Sequence, residues 1–270
     1  MKTDAHLPIG VFDSGLGGLT VARELSKLLP HENLFYVGDT ARVPYGTKSP
    51  ETIRRYSLQI SFFLLQRKVK MIVVACNTAS ALALRSLQNL PIPVIGVIDP
   101  GARGAALTTH SGRVGVIGTP ATVASHAYRT AIKKYSPQAQ VWESACPLFV
   151  PLVEEGWLTH PVTTTVAQVY LKPLLKNKID TLVLGCTHYP LLKETLQPVV
   201  GSRVRLIDSA EQTAKEVERV LLKQGKQNPS KKKGRATYFV TDNTTSFSRL
   251  SRQFLGAQTP AAKRLRLENI

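Results

Sequence analysis

Two cysteines, Cys76 and Cys186, each follow a short apolar run that predicts a β-strand and precede a stretch with helical periodicity. A thiol at the carboxyl end of a parallel strand lies where open α/β sheets bind their ligands. The partial positive charge at the start of the next helix is expected to lower the pKa of such a thiol from its free value of about 8.5. Each sulfur is therefore a candidate acid or base, although most free cysteines are simply small buried hydrophobic residues.

The two cysteines also occupy matching positions in an internal repeat. The segment VVACNT at residues 73–78 aligns with VLGCTH at residues 183–188, and GVFDS at 10–14 aligns with GVIGT at 115–119. Two similar lobes would each present one thiol to a shared substrate. One thiolate could remove a proton from a carbon atom while the other thiol protonates the opposite face, which inverts that centre. A cysteine hydrolase, by contrast, needs a single thiol.

A glycine-rich loop, DSGLGG at residues 13–18, follows the first predicted strand. Its backbone N–H groups could bind a small carboxylate at a helix start, with Asp13 pairing with a substrate ammonium or tuning Cys76. The alternative is a dinucleotide fingerprint, and Asp39 lies near the spacing of a ribose-binding acid. The required G-x-G-x-x-G fails, however, because Thr20 stands at the last position.

Four further residues need an interpretation. His188 could hold or accept a proton beside Cys186, or it could cap or pack the local structure. Of the adjacent acids Glu154 and Glu155, one could approach the cleft, although both could equally be solvated. Cys146 lies in an apolar stretch without a repeat partner, which predicts a structural role.

The elements that must position these residues alternate along the chain. Strands are predicted at 8–12, 33–37, 71–75, 94–98, 114–117, 140–143, 181–184, 204–207 and 237–240. Helices are predicted at 16–29, 50–68, 78–90, 120–134, 161–175, 190–200 and 210–222. This alternation is typical of an α/β fold, here two pseudo-symmetric lobes, each a mostly parallel sheet flanked by helices, with the active site between them.

Composition narrows the class of protein. The chain has 270 residues, 43% of them hydrophobic, and a formal net charge of +17, which indicates a folded globular protein. More than half of the excess charge lies beyond residue 222, where a basic segment at 223–235 is either a solvated loop or a nucleic-acid contact. The three cysteines show neither a disulfide framework nor zinc spacing. The polar start and the lack of a long apolar run predict a soluble cytoplasmic protein with no membrane partner.

Five segments together resemble the glutamate racemases, cofactor-independent enzymes of bacterial cell-wall synthesis. They are FDSGLGG at 12–18, GDTARVPYG at 38–46, ACNTA at 75–79, PLVEEG at 151–156 and GCTHYPLL at 185–192. The resemblance implies interconversion of L- and D-glutamate by Cys76 and Cys186, without pyridoxal phosphate or a metal. In that scheme Cys76 deprotonates the D-isomer and Cys186 the L-isomer.

The resemblance also implies a substrate site and an assembly. Substrate-binding positions of the family fall on Asp13, Ser14, Tyr45, Gly46, Asn77, Thr78, Thr187 and His188, with Thr119 and Glu154 as supporting residues. The implied first lobe comprises residues 1–98 plus 209–270, and the second comprises residues 99–208. A homodimer is expected, and nucleic acid is not an expected partner. Only seven residues precede Pro8, so activation through an N-terminal extension, seen in some family members, is not expected.

Other functions remain open at this point. The nearest is a racemase of another acidic amino acid, such as aspartate. A cysteine-dependent hydrolase or transferase would form a thioester at Cys186 and would not need Cys76. A binding module, either a two-lobed receptor or a DNA-associated protein using residues 223–235, would show no turnover. A DNA-associated protein would also bind DNA with an affinity that depends steeply on salt concentration.

Overall fold

The computed structural model describes residues 4–256 and 261–267, and within them the chain forms two parallel β-sheets flanked by helices. The strands are β1 (Ile9–Asp13), β2 (Leu34–Gly38), β3 (Met71–Val74), β4 (Val94–Gly96), β5 (Arg113–Gly118), β6 (Gln140–Ala145), β7 (Thr181–Gly185), β8 (Arg205–Asp208), β9 (Ala236–Val240) and β10 (Ala262–Arg264). The helices are α1 (Leu19–Leu28), α2 (Pro50–Gln66), α3 (Asn77–Leu87), α4 (Ile98–Thr108), α5 (Pro120–Ala124), α6 (Ala127–Tyr135), α7 (Phe149–Glu154), α8 (Pro161–Leu175), α9 (Lys193–Val200), α10 (Ser209–Lys223) and α11 (Thr244–Leu255). Short 3-10 helices lie at Asp4–His6, Tyr45–Thr47 and Tyr189–Leu192.

The two sheets share a strand order. The first runs β10-β9-β2-β1-β3-β4 and the second β6-β5-β7-β8, with all neighbouring strands parallel. The order β2-β1-β3-β4 in one sheet is matched by β6-β5-β7-β8 in the other. Strands β1 and β7 are buried along their whole length, as expected for central parallel strands covered on both faces. The predicted α/β class with two parallel sheets is confirmed.

The end of the chain returns to the first sheet. Strand β9 pairs with β2, and β10 pairs with β9. The residue boundaries of the two lobes stay a prediction, and residues 1–3, 257–260 and 268–270 of the first lobe lie outside the described part. Within the described ranges, no helix has both the length and the apolar character that a membrane span needs.

The sequence patterns did not predict helix α4. They placed a strand at 94–98 and no element between it and the strand at 114–117. Its sequence contains Pro100, Gly101 and Gly104, and glycine and proline have low helix propensity. The glycines are there for packing, because a Cβ at Gly104 would lie 2.8 Å from Gln212 of α10. Tertiary contacts therefore override local propensity in this segment.

Three more differences concern helices. The single helix predicted at 120–134 is two helices, α5 and α6, because His126 between them adopts a left-handed backbone with φ of 51°. The segment after β9 contains α11, which begins at the N-cap residue Asn243, whose side chain accepts hydrogen bonds from Thr245 and Ser246 N–H groups. Helix α7 was also not predicted.

The basic segment at 223–235 is fastened to the first lobe. The buried Lys70 Nζ donates to Glu32 Oε2 at 2.5 Å and to the Lys226 carbonyl at 2.9 Å, while Glu32 Oε1 accepts from the Asn228 N–H at 2.8 Å. Further along, the Gly234 N–H donates to the Pro30 carbonyl. Breaking a buried ion pair of this kind costs about 3–5 kcal/mol. Because both members of the pair also bond to the backbone of residues 226 and 228, the pair holds this segment against the turn between α1 and β2.

Candidate active site

One cavity of about 280 Å³ contains both thiols. Cys76 lies just beyond the carboxyl end of β3 in the first sheet and directly precedes α3. Cys186 directly follows β7 in the second sheet. The residues that line the cavity are Ser14, Gly15, Val43, Pro44, Tyr45, Gly46, Cys76, Asn77, Thr78, Thr119, Val150, Pro151, Glu154, Cys186, Thr187 and His188. The sequence predictions included eleven of these as site residues, and the twelfth predicted residue, Asp13, lies beneath the lining.

Cys76 is the N-cap residue of α3. Its sulfur accepts a hydrogen bond from the Ala79 N–H at 3.5 Å and donates one to Ser14 Oγ at 3.6 Å. Burial, and then the nearby Asp13 carboxylate, raise the pKa of the Cys76 thiol to about 12. The expectation that the helix start lowers this pKa is therefore wrong, because desolvation and a like charge outweigh the helix and its N–H donor.

Asp13 ends β1 and is fully buried. Its Oδ2 accepts from the Gly15 N–H at 2.8 Å, and its Oδ1 has no hydrogen-bond partner among residues 4–256 and 261–267. Burial raises the pKa of this carboxyl, while the charge of His188 opposes the rise. Of the two predicted roles, tuning Cys76 fits this position better than direct pairing with a substrate ammonium.

Cys186 has a different set of neighbours. The next regular element is the 3-10 helix Tyr189–Leu192 rather than the predicted α-helix at 190–200, so α9 begins only at Lys193. The Cys186 sulfur lies 3.9 Å from His188 Nδ1, and His188 Nε2 lies 3.1 Å from Glu154 Oε1. Burial disfavours the imidazolium, but hydrogen bonds and charges of Cys186 and Glu154 outweigh it and raise the pKa of His188 to about 10.

This arrangement shows which of the two adjacent acids, Glu154 or Glu155, approaches the cleft. Glu154 lines the cavity and contacts His188, whereas Glu155 is exposed. A chain of carboxylate, imidazolium and sulfur therefore runs along one wall of the cleft. Helix α7 supplies Glu154 and also Val150, a lining residue that no sequence signal indicated.

The glycine-rich loop after β1 is shaped by contact between the two halves. A Cβ at Gly17 would collide with the side chains of Thr187 and His188, and the Thr20 hydroxyl donates to the Thr187 carbonyl at 3.1 Å. These glycines let the second cysteine segment approach the first lobe. The dinucleotide alternative fails at Asp39 as well, because its buried carboxylate is already engaged by protein donors.

Those donors hold the Tyr45 loop. Asp39 accepts from Tyr45 Oη at 2.5 Å, from Thr241 Oγ1 at 3.0 Å, and from Arg42 Nε at 2.7 Å and 2.9 Å. Burial and this carboxylate raise the pKa of Tyr45 well above its usual value. The Tyr45 hydroxyl is therefore occupied by a bond within the loop. The groups left to face the cleft are the ring and backbone of Tyr45 and the backbone of Gly46.

Polar groups of α3 reach across to the second lobe. Thr78 Oγ1 lies 2.9 Å from Thr119 Oγ1, which lies 2.9 Å from Thr122 Oγ1. Asn77 Oδ1 accepts from the Tyr128 hydroxyl at 2.7 Å. The Asn77 Nδ2 group is buried and has no hydrogen-bond partner in the described part of the chain, so the cleft carries an unused donor.

Cys146 lies apart from the cavity lining. It is buried, and its sulfur contacts the Ser144 carbonyl oxygen at 3.6 Å. Burial raises the pKa of this thiol to about 12. Among the described residues, no cluster of three or more His, Cys, Asp and Glu side chains is arranged to hold a metal ion.

Comparison with known proteins gives a consistent assignment. A family model described as Asp/Glu/Hydantoin racemase matches residues 14–217. A glutamate racemase from Geobacter metallireducens is 54% identical over 261 residues, covering 96% of this chain and 97% of that protein.

Two crystal structures agree with it. A glutamate racemase isoform from Bacillus anthracis has a TM-score of 0.94 at 41% identity, covering 97% of this chain and 98% of that one. A glutamate racemase from Francisella tularensis, solved in complex with D-glutamate, has a TM-score of 0.92 at 39% identity, covering 98% and 100%. The chain therefore belongs to the Asp/Glu/Hydantoin racemase family of isomerases.

Proposed function

We propose that the protein is a glutamate racemase that interconverts L- and D-glutamate by proton transfer between the substrate α-carbon and two thiols, Cys76 and Cys186. The observation that carries the proposal is that the two sulfurs, one from each repeat, line one small cavity. The likeness to proteins named glutamate racemase supports the substrate. D-Glutamate made in this way would supply peptidoglycan synthesis.

The reaction consists of two proton transfers to opposite faces of one carbon. From the L-isomer, a Cys186 thiolate accepts the α-proton and the Cys76 thiol donates its own proton, leaving Cys186 as a thiol and Cys76 as a thiolate. From the D-isomer the roles reverse. Exchange with solvent restores the starting protonation state in both directions.

The two sulfurs have different charged surroundings. His188, with its raised pKa, places a positive charge 3.9 Å from the Cys186 sulfur, whereas Cys76 faces the Asp13 carboxylate and the Ser14 hydroxyl. We therefore expect the empty enzyme to hold its proton on Cys76. The Asp13 carboxylate would raise the proton affinity of the Cys76 thiol, whereas the Glu154–His188 pair would place a positive charge beside Cys186.

The substrate carboxylates need donors, and the cleft offers them. Ser14, Asn77, Thr78 and Thr187 would bind the α-carboxylate and ammonium and stabilise the negative charge that develops at the transition state. The side-chain carboxylate would lie near the Tyr45–Gly46 backbone. Thr119, hydrogen-bonded to Thr78, would support this wall. No cofactor or metal takes part in the proposed steps.

The test is the loss of optical activity from pure L- or D-glutamate, followed by circular dichroism with chelator present and without added pyridoxal phosphate. We expect both enantiomers to reach the racemate, and aspartate to react at least about 100-fold more slowly. Stable optical activity of glutamate, or faster reaction of aspartate, would overturn the proposal. A homodimer and a cytoplasmic location stay predictions, which sedimentation and fractionation of cells would check.

A further inference from the structure

Tyr128, a buried residue of α6, touches both cysteine segments. Its ring fills the space beside Gly185, where an added Cβ would lie 2.9 Å from a ring carbon, and Gly185 directly precedes Cys186. Its hydroxyl donates to Asn77 Oδ1 at 2.7 Å, and Asn77 directly follows Cys76. One side chain of the second lobe thus spans the distance between the two thiol-bearing segments.

Tyr128 is held firmly in this position. A Cβ at Gly101 of α4 would lie 3.3 Å from its ring and from its hydroxyl oxygen, and the Ser209 side chain also contacts that hydroxyl. Burial raises the pKa of Tyr128, so its hydroxyl keeps its proton at neutral pH and remains a donor. A protonated phenol can also accept a hydrogen bond, but in the structure the Tyr128 hydroxyl donates its proton to the Asn77 carbonyl oxygen and leaves the amide nitrogen unpaired among the described residues.

The consequence appears at the other end of the Asn77 amide. With Oδ1 engaged, Nδ2 is the group left over, and it is buried in the cavity wall without a partner among the described residues. An unused buried donor is unfavourable unless a ligand pairs with it. If the amide were turned over, an oxygen would face the bound amino acid and repel its carboxylate.

We infer that Tyr128 is a positioning residue, whose hydroxyl bond to Asn77 keeps the amide nitrogen directed at the substrate carboxylate. The inference rests on the proposed function and adds a residue of the second lobe to the substrate site of the first. The bond also ties the segment after Cys76 to the segment before Cys186.

The experiment compares wild type with Tyr128→Phe, Asn77→Ala and the double variant. In Tyr128→Phe we expect KM to rise about tenfold for both enantiomers and kcat to fall by less than about threefold. Most of the bond to the carboxylate already forms in the ground state, and only its strengthening at the transition state affects kcat. A merely structural role would lower the active fraction instead, so kcat would fall while KM stayed constant.

The matched control is Tyr135→Phe, the same change on the same helix. The Tyr135 hydroxyl bonds to Asp99 Oδ2 of α4 at the protein surface, so KM and kcat should remain at wild-type values. A second variant, Asn77→Asp, keeps the acceptor for Tyr128 and replaces the cleft-facing donor by an oxygen. KM should rise further in Asn77→Asp than in Asn77→Ala.

Two double-mutant cycles separate the inference from the proposed function. In kcat/KM, adding Tyr128→Phe to Asn77→Ala should cost nothing more, and a full additive loss would overturn the inference. In the free energy of unfolding, the same pair should be coupled, and independent effects would show that the contact does not form. Wild-type KM in Tyr128→Phe overturns the inference alone, whereas a wild type inactive on glutamate overturns the proposed function and leaves the unfolding cycle to decide the contact.

Discussion

Cys76 and Cys186 occupy equivalent places in two sheets of the same strand order, yet their neighbours carry different charges. Cys76 lies beside a buried carboxylate and a hydroxyl, and its pKa is raised to about 12. Cys186 lies beside His188, whose own pKa is raised to about 10. The duplicated backbone places the two sulfurs, whereas side chains that are not duplicated, Asp13 on one side and Glu154 on the other, give the two sulfurs different charged surroundings.

This difference makes the resting enzyme asymmetric although its reaction is symmetric. The equilibrium between enantiomers is unity in an achiral solvent, so kcat/KM must be equal in the two directions whatever the local charges are. What the asymmetry can change is the distribution of kcat and KM between the directions. The comparison therefore predicts different pH dependences of kcat for L- and D-glutamate.

Removing either thiol has the largest expected effect. Cys76→Ala and Cys186→Ala should each lower racemisation by roughly 10³-fold or more, because each removes one of two obligatory acid–base groups. Optical activity followed by circular dichroism measures the loss. Cys146→Ala is the control and should stay active, since this thiol lies outside the cavity. Full turnover by either single variant would refute the two-thiol scheme.

The Glu154–His188 pair tests the charge on the Cys186 side. Glu154→Gln removes one cause of the raised His188 pKa, so that pKa should fall below about 10, which NMR titration of the imidazole measures. The high-pH limit of activity should move down with it, and kcat/KM should fall by about tenfold. Glu155→Gln, one residue along and exposed, should change neither.

The same pair gives a prediction for stability against pH. The folded pKa of His188 lies above its ordinary value of 6.5, so its contribution to stability is complete below pH 6.5 and is lost as pH rises through about 10. In Glu154→Gln the loss should still begin near pH 6.5, but it should be smaller and complete at a lower pH, because the folded pKa of His188 is lower. Urea unfolding at a series of pH values checks both; an identical pH profile for wild type and variant would show that Glu154 does not hold the proton on His188.

A smaller effect is expected at the loop beside Cys76. Asp39→Asn weakens the acceptor that fastens Tyr45, Arg42 and Thr241, so KM should rise by about threefold to tenfold while kcat changes less. Thr241→Val removes one of these bonds and should shift KM by less than Asp39→Asn. An unchanged KM in Asp39→Asn would show that the loop does not depend on this network.

Much of this picture could be predicted from the sequence. The repeat around the two cysteines indicated the equivalent strands, and the motifs indicated eleven of the residues that line the cavity. A motif is a local pattern of sequence. Motifs were enough to predict those site residues that lie next to the end of a strand.

The rest depends on contacts between distant segments. Helix α4 was hidden because Gly101 and Gly104 serve packing rather than helix propensity. The contacts of Tyr128 with both cysteine segments form only when α6 packs on α4. The pKa of Cys76 was expected to fall because a helix start is visible in sequence, whereas the burial and the Asp13 charge that raise it are not. Charge balance in a buried site is a property of the assembled fold.

Isotope exchange during the reaction in heavy water tests the two-thiol claim most directly. Starting from either enantiomer at low conversion, the account predicts that the product carries deuterium at its α-carbon while the remaining substrate keeps its original hydrogen. Mass spectrometry after chiral separation measures both pools. Product that retains the substrate's own α-hydrogen, or deuterium entering recovered substrate ahead of product, would mean that a single group carries the proton and would contradict the account.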